Sequence, residues 1–250
     1  METHAPHIHH SPGKKFSHYF WEFLMLFLAV FCGFMAENIR EHRIEKKRAE
    51  QYIYSFCSDL KRDTTRFSIV IKANEGKIAV LENIFTCYDS LMKNFKETSC
   101  LFEIARKSAS NSAVGFNDGT MQQLKNAGGF RLLDKADRDS IIMYDNVIKM
   151  YKDFESTIFQ ESQNIVRSTF STLLAFRANK FLYPASAGKD SSKIEIPILF
   201  KDDKDLLNKY FNDLFRYRSV IGTQIKRLNE FTAHARRLLE NFNRKYHIDR

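Results

Sequence analysis

Helix breakers are scarce in this chain, with 4 prolines and 9 glycines among 250 residues. That scarcity leaves little room for a turn-rich fold and favours long uninterrupted helices. Cysteine is limited to Cys32, Cys57, Cys87 and Cys100, none in CxxC spacing, which excludes a structural zinc site or redox pair of that kind. The three beyond Cys32 cannot all pair with one another. They are read as buried free thiols acting as small hydrophobes, and they leave the compartment open. No Gly-rich phosphate loop, GxSxG elbow, HExxH motif or dinucleotide fingerprint occurs. Beyond the N-terminal tail, His18, His42, His234 and His247 stand isolated on helices. The chain is read as non-enzymatic, with no cofactor and no metal site. Its net charge of +9 comes from bases mixed with acids along every segment, as in KRLNEFTAHARRLLENFNRK. A solvated helical surface accounts for that pattern, and no specific nucleic-acid partner is expected.

Long hydrophobic runs are missing as well, with one exception. His18 to Ala36 reads HYFWEFLMLFLAVFCGFMA. As a helix its nineteen residues measure roughly 28 Å, close to the thickness of a bilayer's hydrocarbon core. A cleaved signal peptide needs small residues before the cut, yet Phe34 precedes a cut after Ala36 and Phe31 one after Gly33. A surface-lying helix needs a polar face, and Phe23 to Ala36 has none. A buried core helix is the remaining bland reading, and a retained transmembrane helix over 16–36 is preferred. At about 100° per residue, Glu22, Ala29, Gly33, Ala36 and Arg40 share one helix face. Ala29 and Gly33 form a small-xxx-small pair, which lets a second helix approach closely. The lipid bilayer is the first expected partner, followed by a second copy of the chain or another envelope protein. Orientation stays open: Lys14 and Lys15 precede the span and Arg40, Arg43, Lys46, Lys47 and Arg48 follow it, so the positive-inside rule favours the large domain in the cytoplasm, a rule weakened by the interleaved Glu37, Glu41, Glu45 and Glu50.

Residues 1–15 read as a disordered His-rich tail, whose His4, His7, His9 and His10 have no thiol or carboxylate partner for a metal. Residues 37–250 read as one helical-bundle domain. From Glu37 to about Phe95 a seven-residue column runs Ile53, Leu60, Phe67, Asn74, Leu81, Tyr88, Phe95, beside a second of Ile71, Ile78, Phe85 and Met92. This predicts a heptad seam on one long helix, or on two broken near Gly76, continuing from the anchor without a linker. A short helix over Leu101–Lys107, a polar loop SASNSAVGFNDGT and a short helix TMQQLKN follow. Gly128 and Gly129 end the last, offering a positive φ or a close approach. Asp134 caps an element of about Lys135–Leu182, with a seam of Ile141, Tyr144, Ile148, Tyr151, Ile158, Ile165 and Phe176. IEIPILF is at best a short extended piece. A last helix of about Asp202–Tyr246 carries the seam Leu207, Tyr210, Leu214, Tyr217, Ile221, Leu228, Phe231, Leu238, Phe242. The expectation is an all-α protein: a transmembrane helix continuing into an elongated antiparallel bundle of about three long helices plus short ones.

The stretch WEFLMLFLAVFCGFMAENIREH, the helix ending DLKRDT, and TMQQLKNAGGFRLL with its following IIMYD resemble a family of uncharacterised single-pass, membrane-anchored helical proteins common in Bacteroidota. The resemblance covers the anchor and roughly residues 37–62 and 118–146. The family's QLKxxGGxRL segment falls on Gln123, Leu124, Lys125, Gly128, Gly129, Arg131 and Leu132. The resemblance implies architecture and inner-membrane location, and an outward-facing domain, with no activity attached. The expected role is a membrane-tethered scaffold or protein-interaction component. A ligand-sensing bundle, chemoreceptor-like but without its own signalling domain, is the alternative.

Overall fold

The computed structural model describes residues 16–110, 112–178 and 199–248. The His-rich tail, Pro184 and most of IEIPILF lie outside the described residues, so those readings stay where the sequence leaves them. The described chain is helical: α1 (Phe16–Leu81), α2 (Ile84–Lys93), α3 (Ser99–Ser108), α4 (Gly119–Asn126), α5 (Lys135–Phe154), α6 (Gln160–Leu173) and α7 (Lys204–Tyr246). Among the described residues there is no strand, only one isolated bridge between Leu174 and Leu199. The chain divides into two units, Met1–Gln51 and Tyr52–Arg250.

In the first unit the apolar stretch is helical and its large side chains, from Tyr19 and Trp21 to Phe34 and Met35, are exposed. One helix long and apolar enough to cross a membrane is found among the described residues.

The second unit is organised by heptads. Of the first column, Ile53, Leu60, Phe67, Asn74 and Leu81 are buried on α1, while Tyr88 and Phe95 beyond it are half-buried. The second column needs correcting at Phe85, while Ile71, Ile78 and Met92 pack against the edge of the core. Ile71, Ile78 and Met92 are half-buried and Phe85 is 65% exposed. A further column, Phe56, Asp63, Val70, Lys77, Ile84 and Leu91, is buried at every position but the half-buried Val70, and two charged residues disguise it. The break also moves. Gly76 sits inside α1, and the chain turns at Glu82 and Asn83 before α2. A lone helical glycine costs only about 1 kcal/mol, and Asn74 and Lys77 hold the helix on either side of it with buried hydrogen bonds.

The cysteine reading is overturned for two residues. Cys87 on α2 and Cys100 on α3 form a disulfide, with Cα atoms 5.8 Å apart. The KETSC interruption is the turn that folds α3 back onto α2, and a 13-residue separation carries no recognisable motif. Cys57 is buried and Cys32 exposed.

Asp134 caps α5 as expected, its side chain accepting from the Asp137 N–H, and Asp203 does the same for α7 through Leu206. The element after Asp134 is not one regular helix. A π-helical turn, Glu155–Phe159, separates α5 from α6. It inserts one residue into the heptad, so burial passes from Tyr144 and Tyr151 to Phe159, Val166 and Leu173. The expected Ile158 and Ile165 are therefore exposed, and Phe176 lies exposed beyond the end of α6 at Leu173. On α7 every residue of the expected seam is buried, with Gln224 and Ala235 filling its two gaps.

Rings pair between α1 and α7 in descending order: Phe56 with Phe242 and Phe67 with Phe231, each edge-on or tilted at about 6 Å. Tyr151 and Phe116 complete an aromatic layer around Phe67 and Phe231. Each such aromatic pair adds about 0.5–1.5 kcal/mol beyond its area burial.

Candidate functional site: a loop held by buried charges

The polar loop between α3 and α4 is drawn into the core. Ser112 and Val114 are buried, as is Thr120 in the first turn of α4. Backbone groups taken out of water must find partners, and here side chains of the surrounding helices supply them. Lys77 Nζ on α1 and Gln163 Nε2 on α6 donate to the Ser110 carbonyl at 2.7 and 2.9 Å. Arg167 donates to the Ala109 carbonyl. Glu155, in the π-turn, accepts from the Val114 N–H at 2.8 Å. Asp63 Oδ1 accepts from both the backbone N–H and the side-chain amide of Asn117, at 2.9 and 2.8 Å. Asp59 accepts from the Thr120 N–H. A charged partner makes each such bond worth about 1.5–3 kcal/mol.

Behind the loop lies a layer of neutral polar groups. Asn74 donates to Gln224 Oε1, and Gln224 Nε2 donates to the Tyr151 hydroxyl at 2.9 Å. Gln163 Nε2 also donates to Tyr217 at 3.0 Å.

Burial sets the electrostatics. It pushes the Asp63 carboxyl up to about 6, against the pull of the two Asn117 hydrogen bonds. It pushes Lys77 down to about 8, helped by the nearby Arg167 and Lys107 charges. Glu155 is raised by the same burial, opposed by the Val114 N–H. The arrangement fixes a loop with ionisable groups that change charge near neutral pH. Among the described residues no three His, Cys, Asp or Glu side chains form a metal-sized group.

The residues singled out in the sequence lie elsewhere. Glu22, Ala29, Gly33, Ala36 and Arg40 are exposed on α1, where Arg40 pairs with Glu37. In the QLKxxGGxRL segment Leu124 is buried and Gln123 and Arg131 are exposed. Lys125 pairs with Asp145 at 2.8 Å, and Leu132 is half-buried in a 3-10 turn. The glycine pair divides its two expected tasks. Gly128 has φ of +65°, while a Cβ on Gly129 would lie 3.1 Å from both the Leu124 Cα and the Tyr52 ring. Asp59, Asp63, Lys77, Glu155, Gln163 and Arg167 were not anticipated. Asp63 and Lys77 carry a signal nonetheless: they stand seven residues either side of Val70, inside a column that begins with Phe56 and ends with Leu91.

The fold and this site define an all-helical protein with one candidate membrane-spanning helix. Comparison of the chain with protein-family models, curated proteins and solved structures finds no match.

Proposed function

We propose that this chain is a single-pass protein of a bacterial inner membrane, held by residues 16–36, whose helical unit is an elongated antiparallel bundle displayed in an oxidising compartment. Its role is that of a non-enzymatic scaffold that binds another envelope protein or a second copy of itself. The observation that carries the location is the Cys87–Cys100 disulfide, because such bonds persist in oxidising compartments and are rare in a reducing cytosol. The anchor is supported by the exposure of its apolar side chains from Tyr19 to Met35, all but the half-buried Leu24, which a bilayer would cover. The descending order of the Phe56–Phe242 and Phe67–Phe231 pairs supports the antiparallel arrangement. The Glu22, Ala29, Gly33, Ala36, Arg40 face supplies the close-packing surface for a partner helix, with Glu22 turned toward protein rather than lipid. The resemblance to membrane-anchored Bacteroidota proteins agrees with an outward-facing domain.

A C-terminal fusion to alkaline phosphatase, an enzyme active only where its own disulfides form, tests this reading. Activity in intact cells is expected. An inactive phosphatase fusion together with a fluorescent cytoplasmic-type fusion would overturn it.

A further inference from the structure

Three cations from three elements gather at the end of α3. Lys107 stands in the last turn of that helix, Lys77 reaches its end from α1 and Arg167 reaches it from α6. Lys77 and Arg167 donate to the neighbouring carbonyls of Ser110 and Ala109. The Arg167 and Lys107 charges both act on the buried Lys77 ammonium. None of the three has an ion-pair partner among the described residues. Glu103, one turn before Lys107, is the one acid at helix-pair spacing from any of them; Lys77 and Arg167 have no acid three or four residues away. Glu155 holds the same loop further on, at Val114, and burial and that N–H set its carboxyl with no part from Lys77 or Arg167.

Helix polarity explains why cations collect here, but not why so many. The carbonyl end of a helix carries about half a negative elementary charge. With that and Glu103 both counted in full, a surplus of roughly 1.5 positive charges remains. Lys107 and Arg167 are half-buried and Ser110 is exposed, so the cluster opens to solvent, while Lys77 lies beneath it at 1% exposure. Two residues beyond Ser110, the buried Ser112 hydroxyl has no partner, a donor still unused. A carboxylate would bring a single negative charge. A phosphate monoester brings about 1.5 to 2 near neutral pH, with three strong acceptor oxygens. Its charge matches the surplus, and its oxygens match the donors. We propose that the end of α3 binds a phosphate group, held at the surface by Lys107 and Arg167 with Lys77 behind them.

The test is calorimetric titration of the full chain, in phosphatidylcholine nanodiscs at pH 7 and fixed ionic strength, with inorganic phosphate as the probe. Saturable binding at one site per chain is expected, with a Kd below about 1 mM, and acetate should not compete. Lys107→Gln and Arg167→Gln should each weaken binding about tenfold, the loss of one charge-assisted contact. Arg167→Lys should recover part of that loss. The Lys107 side chain makes no hydrogen bond of its own among the described residues, so its variant separates lost affinity from lost folding. Lys77→Met should melt like the parent without phosphate, yet lose most of the rise in Tm that phosphate gives the parent. Two sources of the group are then separated. Phosphatidate included in the nanodisc and competing with phosphate assigns a lipid head group; glycerol 3-phosphate competing where phosphatidate does not assigns a soluble monoester. No saturable binding up to about 10 mM phosphate, equal competition by acetate, or unchanged affinity in both the Lys107→Gln and Arg167→Gln variants would overturn the proposal.

Discussion

A single carboxylate oxygen of Asp63 accepts two hydrogen bonds from one residue, Asn117, through its backbone N–H and its side-chain amide. The bond crosses 54 residues and joins a core column of α1 to a loop. Asp63 is 1% exposed, and burial raises its carboxyl to about 6. An acid with a raised folded-state value favours the folded state most when protonated. Its contribution is complete below about 4, the unfolded value, and is lost as pH rises through 6. A shift of about two units corresponds to roughly 3 kcal/mol. Asp63→Asn abolishes this dependence at that site. Urea titrations at pH 4.5 and 7 should show the variant gaining on the parent chain by about 1–3 kcal/mol between the two conditions. A difference that stays flat with pH would contradict the assignment.

Lys77 titrates in the opposite sense. Its folded-state value is lowered to about 8, so the unfolded chain binds more protons between about 8 and 10.5, and stability from this group rises with pH across that window. Lys77→Met keeps the volume and removes the buried charge. The Ser110 carbonyl it leaves still accepts from Gln163. The variant should lie within about 1 kcal/mol of the parent at pH 7, or above it, as buried charges replaced by apolar isosteres often do. Lys77→Ala, which leaves a cavity, should lose about 2–4 kcal/mol.

The glycines should separate by geometry. Gly129→Ala drives a Cβ against the Leu124 backbone and the Tyr52 ring and should cost about 1–3 kcal/mol. Gly128→Ala meets no atom but keeps a positive φ, and should cost about 1 kcal/mol. Gly76→Ala, in open space on α1, should stabilise by about 0.5–1 kcal/mol. Thermal melts of the three variants rank them directly.

The π-turn makes a prediction about chain length. Because Glu155–Phe159 carries one residue more than the heptad needs, deleting the exposed Thr157 should let α5 and α6 join with Tyr151 and Phe159 still inward. The deletion should fold cooperatively with unchanged helical content by circular dichroism. A deletion elsewhere, at Ser219 in α7, throws the seam out of phase and should abolish cooperative unfolding.

Much of the helical pattern was legible because apolar residues at heptad spacing mark it. The α7 seam from Leu207 to Phe242 is buried throughout, and Asp134 marks a helix start that the structure caps. What stayed hidden broke the apolar code. Asp63 and Lys77 occupy core positions of α1 but read as surface residues. Ile158 and Ile165 keep the sequence period, while the π-turn shifts the physical one. The Cys87–Cys100 pair depends on a turn that brings distant residues together, which spacing alone cannot supply. The candidate site was invisible for the same reason: its side chains come from α1, the π-turn and α6, and converge only on the folded loop.

The central claim is that the helical unit is displayed from a membrane into an oxidising compartment. It is tested most directly by trapping the thiols of intact cells with a membrane-impermeant alkylating reagent. The account predicts a membrane-fraction protein in which Cys87 and Cys100 resist alkylation until a reductant is added and then react from outside the inner membrane. Free Cys87 and Cys100 thiols that react without reductant, and only after lysis, would contradict it.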